Sequence, residues 1–388
     1  MTRSAVIIGA GQAGLTMATA LREQGWEGEI HLVGEEYHLP YQRPPLSKGY
    51  LAGYENREAL LLRSAEAIEQ DGVVLHLGTS VAAIDRAERA VELEGSGALP
   101  YDVLIIATGS APRLLGIPGS ELDGVHAVRT IEDADRLRDD LARGGRTVFI
   151  GAGFLNLEVA VEALKHGAAC VLEVAPQILG RVLSRETANA LQQYHSDLGI
   201  EILCDAAITA LRGAGGRVTG IELANGEVMP AERVVLSIGA IARDELATAA
   251  GLETGGGIVV DSALRTSDDR IFAIGDCAKY PSPWAGTQMR VESVQNATDQ
   301  ARHLAEALVS GRGGAYRAVP WFWSIQGERR LQIAGIAMPD DDARLVEQGD
   351  GGRLVVERIR EGEVVAVESI NAPAAHMKAR RTLAALLA

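Results

Sequence analysis

Cysteine is scarce in this chain, long apolar runs are absent, and positive charge is in deficit. The three cysteines of 388 residues, Cys170, Cys204 and Cys277, stand far apart and form no C-x-x-C pair. Neither a disulfide scaffold nor a dithiol redox centre is indicated, and no metal-ligand spacing is present. No apolar stretch approaches the roughly eighteen residues of a membrane span. The first apolar strand begins at Ala5, which leaves no room for a signal peptide, so a cytoplasmic protein with no membrane partner is expected. A formal net charge of −15 argues against a nucleic-acid partner. The charge is uneven: residues 312–388 hold 11 Lys and Arg against 10 Asp and Glu, a balance of +1 that leaves −16 upstream. An acidic partner would be repelled except locally.

What the chain does have is apolar material, 47% of its residues, enough for the cores of two or three domains. It also has glycine in a particular arrangement. AVIIGAGQAG (residues 5–14) places Gly9, Gly11 and Gly14 after a short apolar strand and before a helical pattern. Such glycines allow a tight turn, a close approach of backbone to a pyrophosphate and close packing of helix on strand, while the helix N-terminus favours the anion. A second strand, EIHLVGEE, brings Glu35 to where a ribose would be bonded.

The pattern recurs in TVFIGAGFLNLEVAVEAL, with Gly151 and Gly153 but Asn156 in the third glycine's place, and the strand CVLEV then carries Glu173. Two such units predict two nucleotides, one held tightly and one exchanging. Glu173 would bind a ribose diol and repel a 2′-phosphate, so NADH is expected over NADPH, with Arg181 nearby tempering that preference. Asn156 is expected either to push its helix outward or to turn towards the nucleotide.

Three more apolar strands end in glycine: DVLIIATGS (102–110), RVVLSIGA (233–240) and RTSDDRIFAIGDCA (265–278). The last resembles the second FAD fingerprint of the two-dinucleotide-domain flavoproteins, which implies that Asp276 bonds the ribityl chain of FAD. LPYQRPPLSKGYL (39–51), RVESVQNATDQA (290–301), PWFWS (320–324) and ESINAPAAHMKARR near the C-terminus extend the likeness end to end. Together they resemble the NADH-dependent ferredoxin reductases of bacterial oxygenase systems, the putidaredoxin reductase type.

That resemblance implies an α/β chain with two Rossmann-like domains and a C-terminal α/β domain. FAD would lie in residues 1–112 and 245–318, NADH in 113–244, and the C-terminal domain would be 319–388. It implies single-electron transfer from NADH through FAD to a [2Fe-2S] ferredoxin serving a ring-hydroxylating dioxygenase, as in aromatic hydrocarbon catabolism, or a haem monooxygenase. A monomer or a homodimer is expected. Thiol-disulfide relatives need a cysteine pair near the flavin, and the segment around position 43 here reads PYQRPPLSK, so electrons would leave the flavin directly. The alternatives are a quinone or radical reductase of the monodehydroascorbate-reductase type and a flavin-bearing signalling protein similar to apoptosis-inducing factor.

Site residues follow from the same likeness. Gly9, Gly11, Gly14, Glu35, Arg43, Lys48, Ala107, Thr108, Gly109, Gly275, Asp276, Glu292, Val294 and Trp323 would hold FAD. Gly151, Gly153, Asn156, Glu158, Glu173, Arg181 and Gly239 would hold NAD. Lys48 and Glu158 would form the catalytic pair. Ser47 after Pro44-Pro45 reads as a helix N-cap, which puts the Lys48 cation where a helix dipole disfavours it and demands an anion. The resemblance supplies two anions, the reduced flavin edge and Glu158; read as a first-turn carboxylate unwelcome to a pyrophosphate, Glu158 should point sideways, towards nicotinamide and Lys48. The helix beginning near Glu292 would aim its N-terminus at the flavin, with Val294, Ala297, Ala301, Leu304 and Leu308 on one face. Trp321 and Trp323 share one side of an extended segment; Trp323, Arg63, Arg329 and Arg330 would form the docking face for an acidic ferredoxin. Three departures from the family pattern stand out: Asn156, Ile325 in place of an acid after PWFWS, and SIGAIARDE without Pro-Asn after Gly239.

Overall fold

In a computed structural model, residues 3–95 and 97–386 are described. The chain divides into two units: the first takes the chain up to Gln42, Glu58–Ala111 and Ile241–Phe322; the second takes Arg43–Arg57, Pro112–Ala240 and Trp323 onward. Four helices recur below: α1, Gln12–Glu23; α2, Phe154–Ala163; α3, Arg185–Asp197; and α4, Val294–Ser310.

The first unit is built on a five-stranded sheet in the order 271–273, 103–106, 4–8, 29–33, 73–76. Every pairing in it is parallel. The runs SAVII and VLII are buried at every residue, as strands covered on both faces must be. The strand order reverses between 4–8 and 103–106, and the turn 9–11 and the loop 107–109 leave the carboxyl ends of these two neighbours. In an open α/β sheet that switch point is where a ligand binds. Helices α1 and α4 bury Ala13, Leu15, Met17 and Ala18, and Ala297, Ala301 and Leu304, in the same core.

The second unit repeats the plan: a parallel sheet in the order 201–203, 169–172, 147–150, 233–236, 125–126. Its switch point lies between 147–150 and 233–236. An antiparallel sheet in the order 321–326, 329–335, 363–370, 353–360, 342–349 follows, with the helix Pro373–Ala384 packed on its strands 329–335 and 363–370. The α/β class with two Rossmann-like sheets and a C-terminal α/β element is therefore the architecture found. No described helix is long and apolar enough to cross a membrane.

Candidate functional site

The first glycine turn joins Ile8 to α1. Gly9 has φ +111°, and a Cβ there would stand 2.2 Å from the Ala107 carbonyl oxygen; a Cβ on Gly14 would stand 1.9 Å from the Gly9 oxygen. These two glycines are demanded by protein contacts. Gly11 is not: nothing lies within 4 Å of its Cβ position. Gly11 is also the N-cap of α1, gives no side-chain cap, and is followed by no acid in the first turn. The N-terminus of α1 thus has no side-chain cap and an open Cβ position at Gly11, the arrangement that fits a bound pyrophosphate.

Around that turn, Ala107 donates its N–H to the Ile8 carbonyl at 2.7 Å, and the Arg243 N–H reaches the Gly109 carbonyl at 3.0 Å. The Thr108 hydroxyl donates to the Arg243 carbonyl at 2.6 Å. Glu35 is paired with Arg243 through both oxygens, one bond measuring 2.9 Å, while its side chain stays half exposed. Gly275, at φ +75°, gives its N–H to the buried Gln300 amide oxygen at 2.7 Å. The Asp276 carboxylate accepts the Ser110 hydroxyl at 3.0 Å, and its carbonyl accepts Arg290 at 2.7 Å. Arg290 also pairs with Glu292 at 2.7 Å. Ser293 caps α4 by accepting the Asn296 N–H at 3.0 Å, so Val294 opens the helix.

The second turn has the same plan with one change. Gly151, at φ +92°, would put a Cβ 2.4 Å from the Ser237 oxygen. Gly153 caps α2 with no side-chain bond and no acid in the first turn. At the third position Asn156 is fully buried and turns inward: its amide nitrogen donates to the Ile150 carbonyl at 2.9 Å, to Gly151 at 2.8 Å and more weakly to Val235 at 3.4 Å. The expectation that Asn156 turns towards the nucleotide is corrected: its amide is buried against the carbonyls of its own turn.

Glu173 accepts the Ala152 N–H at 2.7 Å and the Ala175 N–H at 2.9 Å, so the second-strand acid is tied to the glycine turn itself. Gly239, at φ +111°, has a guanidinium nitrogen of the exposed Arg181 3.8 Å from its Cβ position. Its carbonyl accepts the Arg113 N–H at 2.9 Å.

Lys48 and Glu158 meet: Nζ lies 2.6 Å from Oε2. Two local readings change. Pro44–Ser47 is a single 3-10 turn that ends at Ser47, so Ser47 is not an N-cap, and Lys48 follows the carbonyl end of that turn, where a cation is favoured. Its ammonium donates to the Pro44 oxygen at 3.2 Å. Glu158 lies in the second turn of α2, because Gly153 is the cap and Phe154 the first helical residue. It is buried, and besides Lys48 it accepts the Ser47 hydroxyl at 2.6 Å and the Ser324 hydroxyl at 2.6 Å. Arg43 donates to the Arg129 carbonyl at 2.7 Å.

Ser324 was not singled out from the sequence, although the alternation that groups Trp321 with Trp323 also groups Ser324 with Gln326. Both are fully buried, and the Gln326 amide donates to Ser324 at 3.2 Å and faces His195 of α3 at 2.8 Å. Trp323 is half-buried and Ile325 exposed. Arg329 lies over the Tyr194 ring at 4.2 Å, and Arg330 is exposed. In the first unit, Arg63 pairs with Asp71 at 2.9 Å and lines a shallow groove with Gln12, Glu23 and Arg302; Arg302 carried no sequence signal. Of the cysteines, Cys170 and Cys277 are buried and Cys204 partly so, and none is paired. Burial pushes the Cys170 thiol up to about 12 and raises the other two.

Comparison with known proteins adds the lineage. The family described as "Pyridine nucleotide-disulphide oxidoreductase" matches residues 3–301, and one described as "Reductase C-terminal" matches 321–387. The chain is 43% identical to a rhodocoxin reductase of Rhodococcus erythropolis over 382 residues, covering 98% of this chain and 89% of the relative. Among solved structures it resembles the ferredoxin reductase for the CYP199A2 system from Rhodopseudomonas palustris, with a TM-score of 0.93, 39% identity, and 96% and 92% of the two chains covered. It also resembles a covalent putidaredoxin reductase–putidaredoxin complex, with a TM-score of 0.93, 35% identity, and 98% and 93% covered.

Proposed function

The chain belongs to the pyridine nucleotide-disulphide oxidoreductase family, and within it we propose an NADH:ferredoxin oxidoreductase that carries FAD. The observation that carries this reading is the combination of two glycine-capped helix N-termini without side-chain caps with cysteines that are unpaired and raised by burial. Two dinucleotides are accommodated and no dithiol stands ready to relay electrons, so reducing equivalents leave the flavin directly for a protein acceptor. FAD, when bound, supplies the chemistry that accepts a hydride and releases electrons one at a time.

The protein's part is to bind and orient. The α1 N-terminus at Gly11 would take the FAD pyrophosphate, with Asp276, Ala107–Gly109 and Arg43 along the cofactor. The α2 N-terminus at Gly153 would take the NADH pyrophosphate, and Glu173 its ribose. Lys48 and Glu158 would flank the reacting rings. FAD would occupy residues 1–112 and 245–318, NADH 113–244, with 319–388 as the C-terminal domain. The acceptor is proposed to be a [2Fe-2S] ferredoxin of an oxygenase system, drawn to arginines on an otherwise acidic chain: Arg63 and Arg302 in the first unit, and Arg329 and Arg330, with Trp323, in the second. We place the enzyme in the cytoplasm, as a monomer or homodimer.

The test is a two-step assay of the FAD-loaded protein. NADH should bleach the flavin under anaerobic conditions, and cytochrome c reduction should then depend strictly on added [2Fe-2S] ferredoxin. Cytochrome c reduction of equal speed without ferredoxin would sink the reading.

A further inference from the structure

Three donors converge on the Glu158 carboxylate. Ser47 and Lys48 address Oε2, each at 2.6 Å, and Ser324 addresses Oε1 at 2.6 Å. Behind Ser324 runs a chain the family reading does not use: Gln326 Nε2 donates to Ser324 Oγ at 3.2 Å, and Gln326 Oε1 meets His195 Nε2 at 2.8 Å. Ser324, Gln326 and His195 are all 0% exposed, so no solvent competes for these bonds and their direction is set by the chain itself.

That direction can be worked out. The 2.6 Å separation between Ser324 Oγ and Glu158 Oε1 requires a proton between them, and the hydroxyl has only one to give. Ser324 must then accept from Gln326, which fixes the amide with its NH₂ towards Ser324 and its oxygen towards His195. An amide oxygen only accepts, so His195 must carry its proton on Nε2. His195 Nδ1 is buried with no hydrogen-bond partner among the described residues, which suits a bare acceptor nitrogen better than an N–H. Burial also lowers the imidazole's affinity for a second proton.

We propose that Ser324, Gln326 and His195 are positioning residues for hydride transfer from NADH: a buried chain, polarised from α3 to α2, whose hydrogen bonds all point at Glu158 and hold its carboxylate against Lys48. The proposal rests on the NADH-oxidising reading above. It also explains why the strand WFWSIQ, otherwise apolar, keeps Ser324 and Gln326 on one buried face. The chain reaches Glu158 through Ser324 alone, and this makes its energetics distinctive.

The FAD-loaded enzyme is reduced by NADH in anaerobic stopped flow, which separates the limiting rate of flavin bleaching from the NADH Kd; FAD content and melting temperature are recorded for each variant. Ser324→Ala should lower the limiting rate about tenfold, the scale of one hydrogen bond to a charged group, with the Kd changed less than about threefold. Ser324→Thr, which returns the hydroxyl, should recover most of the rate. Gln326→Met should slow the wild-type background, yet in the Ser324→Ala background it should add less than about twofold, because its only route to Glu158 is gone. Independently of turnover, a ¹H–¹⁵N correlation spectrum of histidine-labelled protein should show His195 as the Nε2–H tautomer, assigned by the loss of its signal in His195→Gln.

Additive rate losses, an unaffected Ser324→Ala, or an Nδ1–H tautomer would each overturn the proposal. Failure of NADH to bleach the wild-type flavin would instead defeat the functional reading. The tautomer would still report the chain's direction.

Discussion

The two glycine turns solve one problem by different means. Each must bring a helix N-terminus close over a strand end while leaving its leading amides open to an anion. In the first, closeness comes from subtraction: a Cβ on Gly14 would stand 1.9 Å from the Gly9 oxygen, so the helix lies as near as backbone allows. In the second, closeness comes from a bond: the Asn156 amide fastens α2 to the carbonyls of Ile150 and Gly151. The acids differ too. Ile8 pairs with Val33 and Ile150 with Leu172, so the residue matching Glu173 in the first unit is Gly34. A Cβ there would stand 2.6 Å from that of Ala10. Glu35, one place further on, pairs with Arg243. A glycine fingerprint is therefore one solution to helix–strand contact, and a buried donor is another.

If the first turn depends on subtraction, Gly14→Asn should have the largest effect. The added side chain cannot be accommodated unless α1 lifts from its strand, and overpacking of this kind costs about 3 kcal/mol. The protein should be purified without FAD and melt far below the wild type; a yellow, fully loaded variant would refute the steric account.

If the second turn depends on donation, Asn156→Asp should come next. It sets a carboxylate oxygen against two carbonyls in a site with 0% exposure, at a cost of about 2 to 3 kcal/mol. FAD content should be retained while NAD⁺ affinity, read by titration, collapses. Equal loss of both cofactors would mean that the turns are not independent.

The acids supply a smaller contrast. Wild-type kcat/KM should favour NADH over NADPH by about tenfold, or roughly 1.4 kcal/mol, and Glu173→Ser should narrow that ratio by removing the charge. An unchanged ratio would assign the preference to another residue.

Much of this was legible in the sequence, and the exceptions have physical reasons. The sheets declared themselves because parallel strands buried on both faces read as unbroken apolar runs such as SAVII and VLII. Glu158 was legible as the partner of Lys48 through the likeness to the ferredoxin reductases and not through the local helix argument, because Lys48 follows the carbonyl end of its turn, where a cation is favoured. The helical registers were less visible. Pro44-Pro45 opens a one-turn 3-10 helix rather than preceding a longer one, and counting from Gly153 places Glu158 in the second turn. The direction of Asn156 was hidden because a sequence shows a donor but not which carbonyls face it. Ser324, Gln326 and His195 went unread because the pairing of α3 with the strand 321–326 is long-range.

The most direct test is to give the second turn the first turn's glycine. Asn156→Gly completes the G-x-G-x-x-G pattern but removes the fastening amide and places glycine inside a helix, at a cost of about 1 kcal/mol. Titration of this variant with NAD⁺ should show about fivefold weaker binding with FAD content unchanged. Binding as tight as wild type, or tighter, would contradict the account and make Asn156 a tolerated imperfection in an ordinary glycine turn.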